Sequence, residues 1–202
     1  MALNSTSQLT NAITIGVRFA AGRKQFGVPG KEEQSIIEYQ LVQNALVPIT
    51  AGAVVFKIAA VRLVEIWGKN KDALLNNHKN PLIAEFHALA SALKALSTWN
   101  AVKGIQKCRE ICGGLGYSAY NRLGAILVDT DVTQTFEGEN SVLIQQTAKF
   151  LIDVVRDKLK GKERDYESVK WMGEGGENSE GSWLEEKTVR KAMEYRFNFF
   201  SI

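Results

Sequence analysis

The chain is organised around Thr135-Phe136-Glu137-Gly138-Glu139-Asn140. From Leu143 onward the apolar residues recur three and four positions apart, which is the period of a helix. The pattern therefore predicts a short extended approach, a turn at Gly138 and then a helix. Asn140 or Ser141 is expected to cap that helix by accepting a backbone N–H bond.

Glu137 lies immediately before this predicted helix, and two interpretations of its carboxylate are open. The helix dipole would stabilise its charge, whereas burial beside apolar walls would disfavour it. A carboxylate held between these influences, in a pocket that closes over a substrate, can act as a general base. The alternative is a solvated glutamate in a helix-entry turn, and the local residues alone favour that alternative.

Composition is that of a soluble globular protein. The 202 residues are 45% hydrophobic and 23% charged, enough for one domain with a core, or one domain plus an appendage. A net charge of +3 gives no reason to expect a nucleic-acid partner. No uninterrupted apolar run reaches the ~18 residues of a membrane span, so no membrane is expected. Cys108 and Cys112 are expected to be reduced core thiols, and no metal site is predicted.

Periodicity and helix-end signals predict four helices, at about residues 8–26, 35–68, 80–112 and 141–159. Gly27 would end the first, and the capping-box pattern that begins at Ser35 would start the second. Pro48 is expected to kink or divide the second helix. That helix is apolar on most of its circumference, so it is expected at the centre. The prediction is an all-α, up-down four-helix bundle, with residues 121–131 as a short connector.

Two further stretches carry alternative interpretations. Arg23 lies in the predicted last turn of the first helix, where a cation usually complements the helix dipole. It would also suit a phosphate clamp, with Phe26 packing on a ring. Gly113 and Gly114 belong to a glycine cluster that lets backbone approach a partner closely. A glycine-rich break between helices is common, so this cluster alone is weak evidence.

The remaining residues predict a division into three parts. Residues 1–160 form the bundle, and 161–182 form a charged, then acidic and glycine-rich linker. Residues 183–202 are expected to start a second helical region that is truncated. Its apolar end, Phe199-Phe200-Ser201-Ile202, would need a surface to dock on.

Four runs of residues, in this order, resemble an acyl-CoA oxidase, within the acyl-CoA dehydrogenase superfamily. The resemblance covers about residues 8–155 and is strongest to the C-terminal helical region of peroxisomal, branched-chain (pristanoyl-CoA) oxidases. The runs are Arg23-Lys24-Gln25-Phe26-Gly27, His87-Ala88-Leu89-Ala90-Ser91-Ala92, Cys108-Arg109-Glu110-Ile111-Cys112-Gly113-Gly114-Leu115-Gly116-Tyr117, and Thr135-Phe136-Glu137-Gly138-Glu139-Asn140 with Leu143-Ile144-Gln145-Gln146-Thr147-Ala148-Lys149-Phe150-Leu151.

The resemblance implies a chemistry and a set of site residues. Glu137 would remove the α-proton of a fatty acyl-CoA, a hydride would pass to FAD, and molecular oxygen would reoxidise the flavin with release of hydrogen peroxide. The backbone N–H of Glu137 would help to polarise the thioester carbonyl. A homodimer is implied, because some of the cofactor contacts come from the neighbouring subunit. The cofactor-binding residues implied are Arg23, Gln25, Phe26, Gln40, Gly113, Gly114, Glu139 and Asn140.

The chain also departs from the family pattern. Leu115 stands where oxidases often carry His, and Glu110 stands where dehydrogenases often carry a cofactor-binding Gln. No stretch resembles the family's β-domain, so we expect little turnover from the isolated chain. The resemblance implies a peroxisomal location, although the C-terminus does not resemble a Ser-Lys-Leu address. Two alternatives stay open: a non-catalytic helical dimerisation module, and a dehydrogenase that uses a protein electron acceptor.

Overall fold

A computed structural model describes residues 1–76, 81–162 and 166–169. Within them the only β pairing is an isolated bridge between Lys24 and Ser35, and short 3-10 turns join the helices. The predicted all-α class is confirmed. The helices are α1 (Ala2–Gly22), α2 (Gln40–Asn76), α3 (Pro81–Ile111), α4 (Leu123–Asp131) and α5 (Asn140–Leu159).

Helix α3 is the centre of the fold, because it packs against each of the other four helices. Contacts give the directions of its neighbours. Leu9 of α1 touches Gly104, and Gly16 touches Cys108, so α1 runs parallel to α3. In α2, Ile49 lies against Gly104 of α3, whereas Gly52, further along α2, lies against Asn100, which is earlier in α3. Helix α2 is therefore antiparallel to α3.

Helix α5 is also antiparallel to α3. Its first residue, Asn140, donates to the Ala95 carbonyl at 3.4 Å. About two helical turns later, Thr147 donates to the Ala88 carbonyl at 3.1 Å. The four long helices therefore alternate in direction, as predicted for an up-down arrangement.

The apolar core lies where α1, α2 and α4 meet the C-terminal half of α3. Leu9, Ile105 and Leu123 are at most 1% exposed. Burying each of these side chains contributes about 1.5–3 kcal/mol. Small residues on α3 allow the close approach: a Cβ at Gly104 would lie 2.6 Å from Leu9 Cδ1 and 2.8 Å from Ile49 Cγ2. Cys108 and Cys112 are buried and free in this core, as predicted.

The expectation that α2 is the central helix is wrong. Among the α2 side chains whose burial the structure describes, the buried apolar ones are Leu46, Ala53 and Ala60. These residues lie seven apart and make one narrow seam. Much of the remaining apolar surface is exposed, with Val55 at 60% and Ile58 at 65%. The apolar surface that α2 exposes is therefore one that another protein surface can cover. Helix α3 is central instead, because its small residues let the neighbouring helices approach closely.

This helix also passes a simple test for a membrane span. Within Gln40–Ala73, an 18-residue window has a mean hydropathy of 1.8, and 11% of that window is buried. A single such helix is weak evidence, because core helices of soluble proteins pass the same test. The absence of a membrane partner stays a prediction.

The boundary between α1 and α2 differs from the prediction. Helix α1 ends at Gly22, four residues early, because the chain then extends to form the bridge between Lys24 and Ser35. The predicted capping box at Ser35 is wrong: its side chain makes no cap bond. Its hydroxyl donates instead to the Ala21 carbonyl at 2.9 Å, at the end of α1.

Two further corrections concern helix number and length. Helix α2 begins at Gln40 and continues undivided through Pro48 and beyond the predicted end at residue 68, as far as Asn76. The segment predicted as a connector contains helix α4. Leu123, at its start, is fully buried in the core, so tertiary packing stabilises a helix too short to form alone.

The predicted C-terminal regions fall mostly outside the described residues, including all of 183–202. Of the predicted linker, residues 161–162 and 166–169 are described, and the second of these segments packs on the bundle. Tyr166 is 2% exposed and its ring lies 5.1 Å from that of Phe150. The buried Glu85 carboxylate accepts the Ser168 backbone N–H at 2.7 Å.

The contact of three helices at Gly104 can be tested by enlarging it. We predict that Gly104→Val lowers the free energy of unfolding by roughly 1–3 kcal/mol, because Leu9 and Ile49 must move to admit the side chain. Gly68→Val is the control, since a Cβ there meets nothing within 4 Å. Chemical denaturation measures both, and equal stabilities of the two variants would contradict this packing.

Candidate functional site

The segment that carries Glu137 is a tight left-handed turn. The expected extended approach is wrong: a 3-10 turn, Val132–Gln134, precedes it, and the Phe136 N–H donates to the Val132 carbonyl at 3.2 Å. Glu137 has φ +55° and Gly138 has φ +101°. A non-glycine residue with positive φ is uncommon. The turn leaves Glu137 exposed at the N-terminal end of α5.

Glu139 caps α5, whereas Asn140 or Ser141 was expected to do so. Its carboxylate accepts the backbone N–H groups of Ser141 at 2.9 Å and Val142 at 3.1 Å. The Ser141 backbone bond is the largest influence that holds the pKa of Glu139 below its usual range, and the Val142 bond and the charge of Lys94 act in the same direction. The cap therefore works in its ionised form, as the helix dipole favours.

Asn140 occupies the first position of α5 and is completely buried. Its amide donates to Thr98 Oγ1 at 2.8 Å, and its Oδ1 accepts from Lys94 Nζ at 2.9 Å. In this position its side chain ties α5 to α3. Any contact of Glu139 or Asn140 with a cofactor stays a prediction.

Lys94 is the site residue that the sequence analysis missed. Its side chain is buried, with the residue 7% exposed, and its ammonium donates to the Gly138 carbonyl at 2.6 Å. A signal was present in the sequence: Lys94 is the only Lys, Arg, Asp or Glu between Glu85 and Lys103. A charge isolated in an apolar helix is rarely buried without a partner.

The other predicted site residues lie where α1 and α3 end and α2 begins. Arg23 directly follows α1 and is exposed, and Gln40, the first residue of α2, is exposed too. Gln25 is held by its backbone, whose carbonyl accepts the Tyr39 hydroxyl at 3.0 Å. Phe26 has φ +64°, is 68% exposed and touches the Tyr39 ring edge-on.

The glycine cluster forms a 3-10 turn, Gly113–Tyr117, after α3. Gly113, with φ +55°, and Gly114 are exposed, and a Cβ at either would meet nothing within 4 Å. Gly116 is different, because a Cβ there would overlap the Arg109 carbonyl oxygen. Gly116 therefore permits the turn itself, a role that the sequence analysis did not assign, while Gly114 has open space in front of it.

The structure thus separates the predicted site residues into two groups along α3. Glu137, Glu139 and Asn140 lie beside Lys94 and Thr98, whereas the second group lies near Ile111. Thirteen residues of α3 separate Thr98 from Ile111, a rise of about 20 Å. A small ligand cannot contact both groups within one chain.

The two departures from the family pattern are both exposed. Leu115 is 61% exposed. Glu110 pairs with Lys107 at 3.0 Å, and the hydrogen bond from Lys107 holds the pKa of Glu110 below its usual range. No group of three or more His, Cys, Asp or Glu among the described residues is arranged to hold a metal ion.

Two open pockets lie on the described surface, and both are away from Glu137. One, of about 390 Å³, lies between α5 and Tyr166. The other, of about 420 Å³, lies between α1 and α2 beside Val17 and Leu46. The Glu137 turn itself lies on an open face, so within this chain its carboxylate is solvated.

These features define an all-α domain built on a central helix, with a carboxylate on a left-handed turn near the middle of that helix and an exposed glycine turn beyond its C-terminal end. The sequence profile of the acyl-CoA oxidase C-alpha1 domain matches residues 1–152. The chain belongs to this acyl-CoA oxidase domain family.

Named relatives agree with this assignment. Acyl-coenzyme A oxidase 2, peroxisomal, of Arabidopsis thaliana is 40% identical over 161 residues, covering 80% of this chain and 23% of the relative. Peroxisomal acyl-coenzyme A oxidase 3 of Homo sapiens is 40% identical over 152 residues, covering 73% and 22%. The chain therefore spans about a quarter of the length of these relatives.

Solved structures show the same fold. Acyl-CoA oxidase 1 of Arabidopsis thaliana superposes with a TM-score of 0.90 at 29% identity, covering 99% of this chain and 32% of that one. Acyl-CoA oxidase-1 of Caenorhabditis elegans, complexed with FAD and ATP, gives 0.92 at 27% identity, covering 100% and 31%.

The cap formed by Glu139 generates a pH prediction. Because the pKa of Glu139 is lowered in the folded state, its stabilisation is present above the unfolded pKa and is lost as the pH falls through the folded pKa. We predict that Glu139→Gln lowers the melting temperature at about pH 7, and that the difference from wild type shrinks at about pH 3. Thermal unfolding followed by circular dichroism measures this difference.

The control is Glu33→Gln, which removes an exposed carboxylate between α1 and α2. A difference between wild type and Glu139→Gln that is the same at both pH values would contradict a role for the ionised carboxylate.

Proposed function

We propose that this chain is the helical part of an FAD-dependent acyl-CoA oxidase, which converts fatty acyl-CoA to trans-2-enoyl-CoA with formation of hydrogen peroxide. The proposal includes a role in fatty acid β-oxidation in the peroxisome, following the names of the relatives. One observation carries it. Glu137 lies on a left-handed turn at the N-terminal end of α5, and the carbonyl of the next residue, Gly138, accepts a hydrogen bond from Lys94 of α3.

Glu137 would act as the base. Its carboxylate would take the proton from the α-carbon of the acyl group, and its backbone N–H would donate to the thioester carbonyl, where negative charge develops. When bound, FAD would accept the hydride from the β-carbon, and molecular oxygen would complete the turnover with formation of hydrogen peroxide. The exposed position of Glu137 lets a substrate reach it, and a further protein surface would be needed to exclude water.

The second group of residues fits a dinucleotide. The exposed Arg23 guanidinium suits a pyrophosphate, for which arginine offers paired donors. The exposed Phe26 ring suits an adenine. Gln25 directly precedes Phe26 in the chain, and Gln40, the first residue of α2, follows Tyr39, whose ring Phe26 touches. Gly113 and Gly114 leave open space where a ligand can reach backbone. These residues would hold FAD, with Glu139 and Asn140 bordering it near Glu137.

The distance between the two groups favours a homodimer. A separation of about 20 Å along α3 suits an extended cofactor shared between subunits, in which each chain contributes Glu137 to one site and Arg23 to the other. The exposed apolar face of α2 would be covered in such an assembly, because contiguous exposed apolar surface of this kind marks an interface.

A second candidate is a non-catalytic helical dimerisation module. The uncovered apolar face of α2 favours it, since an interface needs no contribution from Glu137. A third candidate, a dehydrogenase that passes electrons to a protein acceptor, shares the same base. Peroxide formation in air separates the third candidate from an oxidase.

Cofactor binding can be tested at the glycine turn. We predict that the chain, incubated with FAD and freed of excess cofactor, retains a flavin absorption band, and that Gly114→Ala weakens it. The Cβ of Gly114→Ala fits the chain but occupies the space in front of the turn. Gly68→Ala on α2 is the matched control. Equal flavin retention in both variants would show that the turn does not contact the cofactor.

The base can be tested in an enzyme reconstituted from this chain and the N-terminal and β-domains of an acyl-CoA oxidase. We predict that Glu137→Gln lowers acyl-CoA-dependent peroxide formation by about 10²–10⁴-fold, the usual worth of general base catalysis. Glu65→Gln is the control, because that carboxylate lies exposed on α2, where it pairs with Arg62.

Circular dichroism must show that Glu137→Gln is folded. A folded Glu137→Gln variant with full activity would overturn the assignment of the base. A reconstituted wild-type assembly that forms but neither bleaches flavin nor makes peroxide would favour the dimerisation module.

A further inference from the structure

The backbone at Glu137 adopts a strained conformation that must be stabilised by contacts with the rest of the structure. Two successive residues, Glu137 at φ +55° and Gly138 at φ +101°, have left-handed dihedrals. An L residue there is strained and persists only when its surroundings determine it. Gly138 also lies close to α5, since a Cβ there would be 2.9 Å from Leu143 Cδ2.

Lys94, buried beneath the turn, provides these contacts through its ammonium group. Its ammonium donates to the Gly138 carbonyl at 2.6 Å and to Asn140 Oδ1 at 2.9 Å, so one buried group grips the chain on both sides of Glu139. Hydrogen bonds from a charged donor are stronger than neutral ones. The Gly138 carbonyl belongs to the Gly138–Glu139 peptide, so this bond restrains the left-handed turn immediately after Glu137.

The grip is anchored rigidly in α3. The Asn140 amide donates to Thr98 Oγ1 at 2.8 Å and to the Ala95 carbonyl at 3.4 Å. Thr98 in turn donates to the Lys94 carbonyl at 2.9 Å. Lys94, Thr98 and Asn140 therefore form a closed, buried network, and such a fully paired network rigidifies what it holds.

The positive charge of Lys94 faces the negative charges of the turn that it binds. Burial lowers the pKa of Lys94, and the negative charges of Glu137 and Glu139 act to raise it. The two carboxylates thus help to keep the ammonium protonated where it must donate. A neutral apolar side chain of the same length would fill the space but could not donate to Gly138 or Asn140.

We propose that Lys94 is a positioning residue for the catalytic base: through the Gly138 carbonyl and the Asn140 side chain it fixes the left-handed turn that aims Glu137 at the substrate. This inference rests on the proposed function, in which Glu137 is the base. Lys94 itself is buried beneath the turn, so it acts through Glu137 and does not touch the substrate.

The first arm of the test examines the full 202-residue chain without cofactor or substrate. Lys94→Met keeps the length of the side chain and removes its donors, and Lys103→Met, exposed on the same helix, is the matched control. We expect Lys94→Met to shift the ¹³C carbonyl resonance of Gly138 upfield, because the bond from the ammonium is lost. Lys103→Met should leave this resonance unchanged.

The second arm measures kinetics in the reconstituted flavoenzyme described above. Lys94→Met should lower kcat by about 10²-fold, since a misdirected base loses the near-attack geometry. KM should change by less than about twofold, because the substrate is held by other groups. Lys94→Arg, which keeps a cationic donor, should restore part of kcat, whereas a residue that only stabilises the fold would show no such rescue.

Thr98→Val provides a second variant that leaves Lys94 in place. It removes the hydroxyl that accepts from Asn140 and should lower kcat less than Lys94→Met does, with the Gly138 resonance moving in the same direction. If Lys94→Met does not fold, an unchanged kcat and an unchanged Gly138 resonance in Thr98→Val overturn the proposal.

The two arms keep this inference apart from the proposed function. An unmoved Gly138 resonance in folded Lys94→Met overturns the positioning role, as does an unchanged kcat. If the resonance moves but the wild-type assembly makes no peroxide, the proposed function fails while the hold of Lys94 on the turn stands.

Discussion

The close packing of α3 against its neighbours is the constraint on which the rest of the structure depends. Gly104 admits Leu9 and Ile49 at the same level of the helix. Ala101 and Cys108, on the same half of α3, are fully buried. A larger residue at Gly104 would push α1 and α2 outward, and the ends of these helices carry Arg23 and Gln40. The apolar half of α3 thus sets where one predicted group of site residues lies, without contributing a functional side chain itself.

Towards its N-terminal end, α3 differs from this apolar half, because its buried contacts with α5 are polar. Lys94, Thr98 and Asn140 are each at most 7% exposed and are joined by hydrogen bonds. Removing one partner from such a network leaves another buried polar group unpaired, which costs more than the lost bond. This network therefore locks the start of α5 to α3 at one register. One helix sets the register of both groups of predicted site residues, about 20 Å apart.

The fold class and four long helices were predictable because helical periodicity and the family motifs are local signals. What failed depended on contacts between distant residues. Ser35 has the sequence pattern of a helix cap, yet its hydroxyl donates to the Ala21 carbonyl on the other side of the loop. The apolar period of α2 did not indicate that burial would fall on the seam of Leu46, Ala53 and Ala60 while Val55 and Ile58 stay exposed. Glu137 was found from its motif, whereas Lys94 was missed because its partners lie more than forty residues away.

Two exposed features have a common physical basis. The apolar surface of α2 gains free energy if another body covers it. The carboxylate of Glu137 lies on an open face, where water surrounds it and weakens the electrostatic effects that catalysis uses. An assembly that covers both would stabilise itself through α2 and dry the surroundings of Glu137. Lys94 gives a reason why this can happen without rebuilding the turn: the conformation of Glu137 is already fixed from the buried side, so a covering surface need only exclude water.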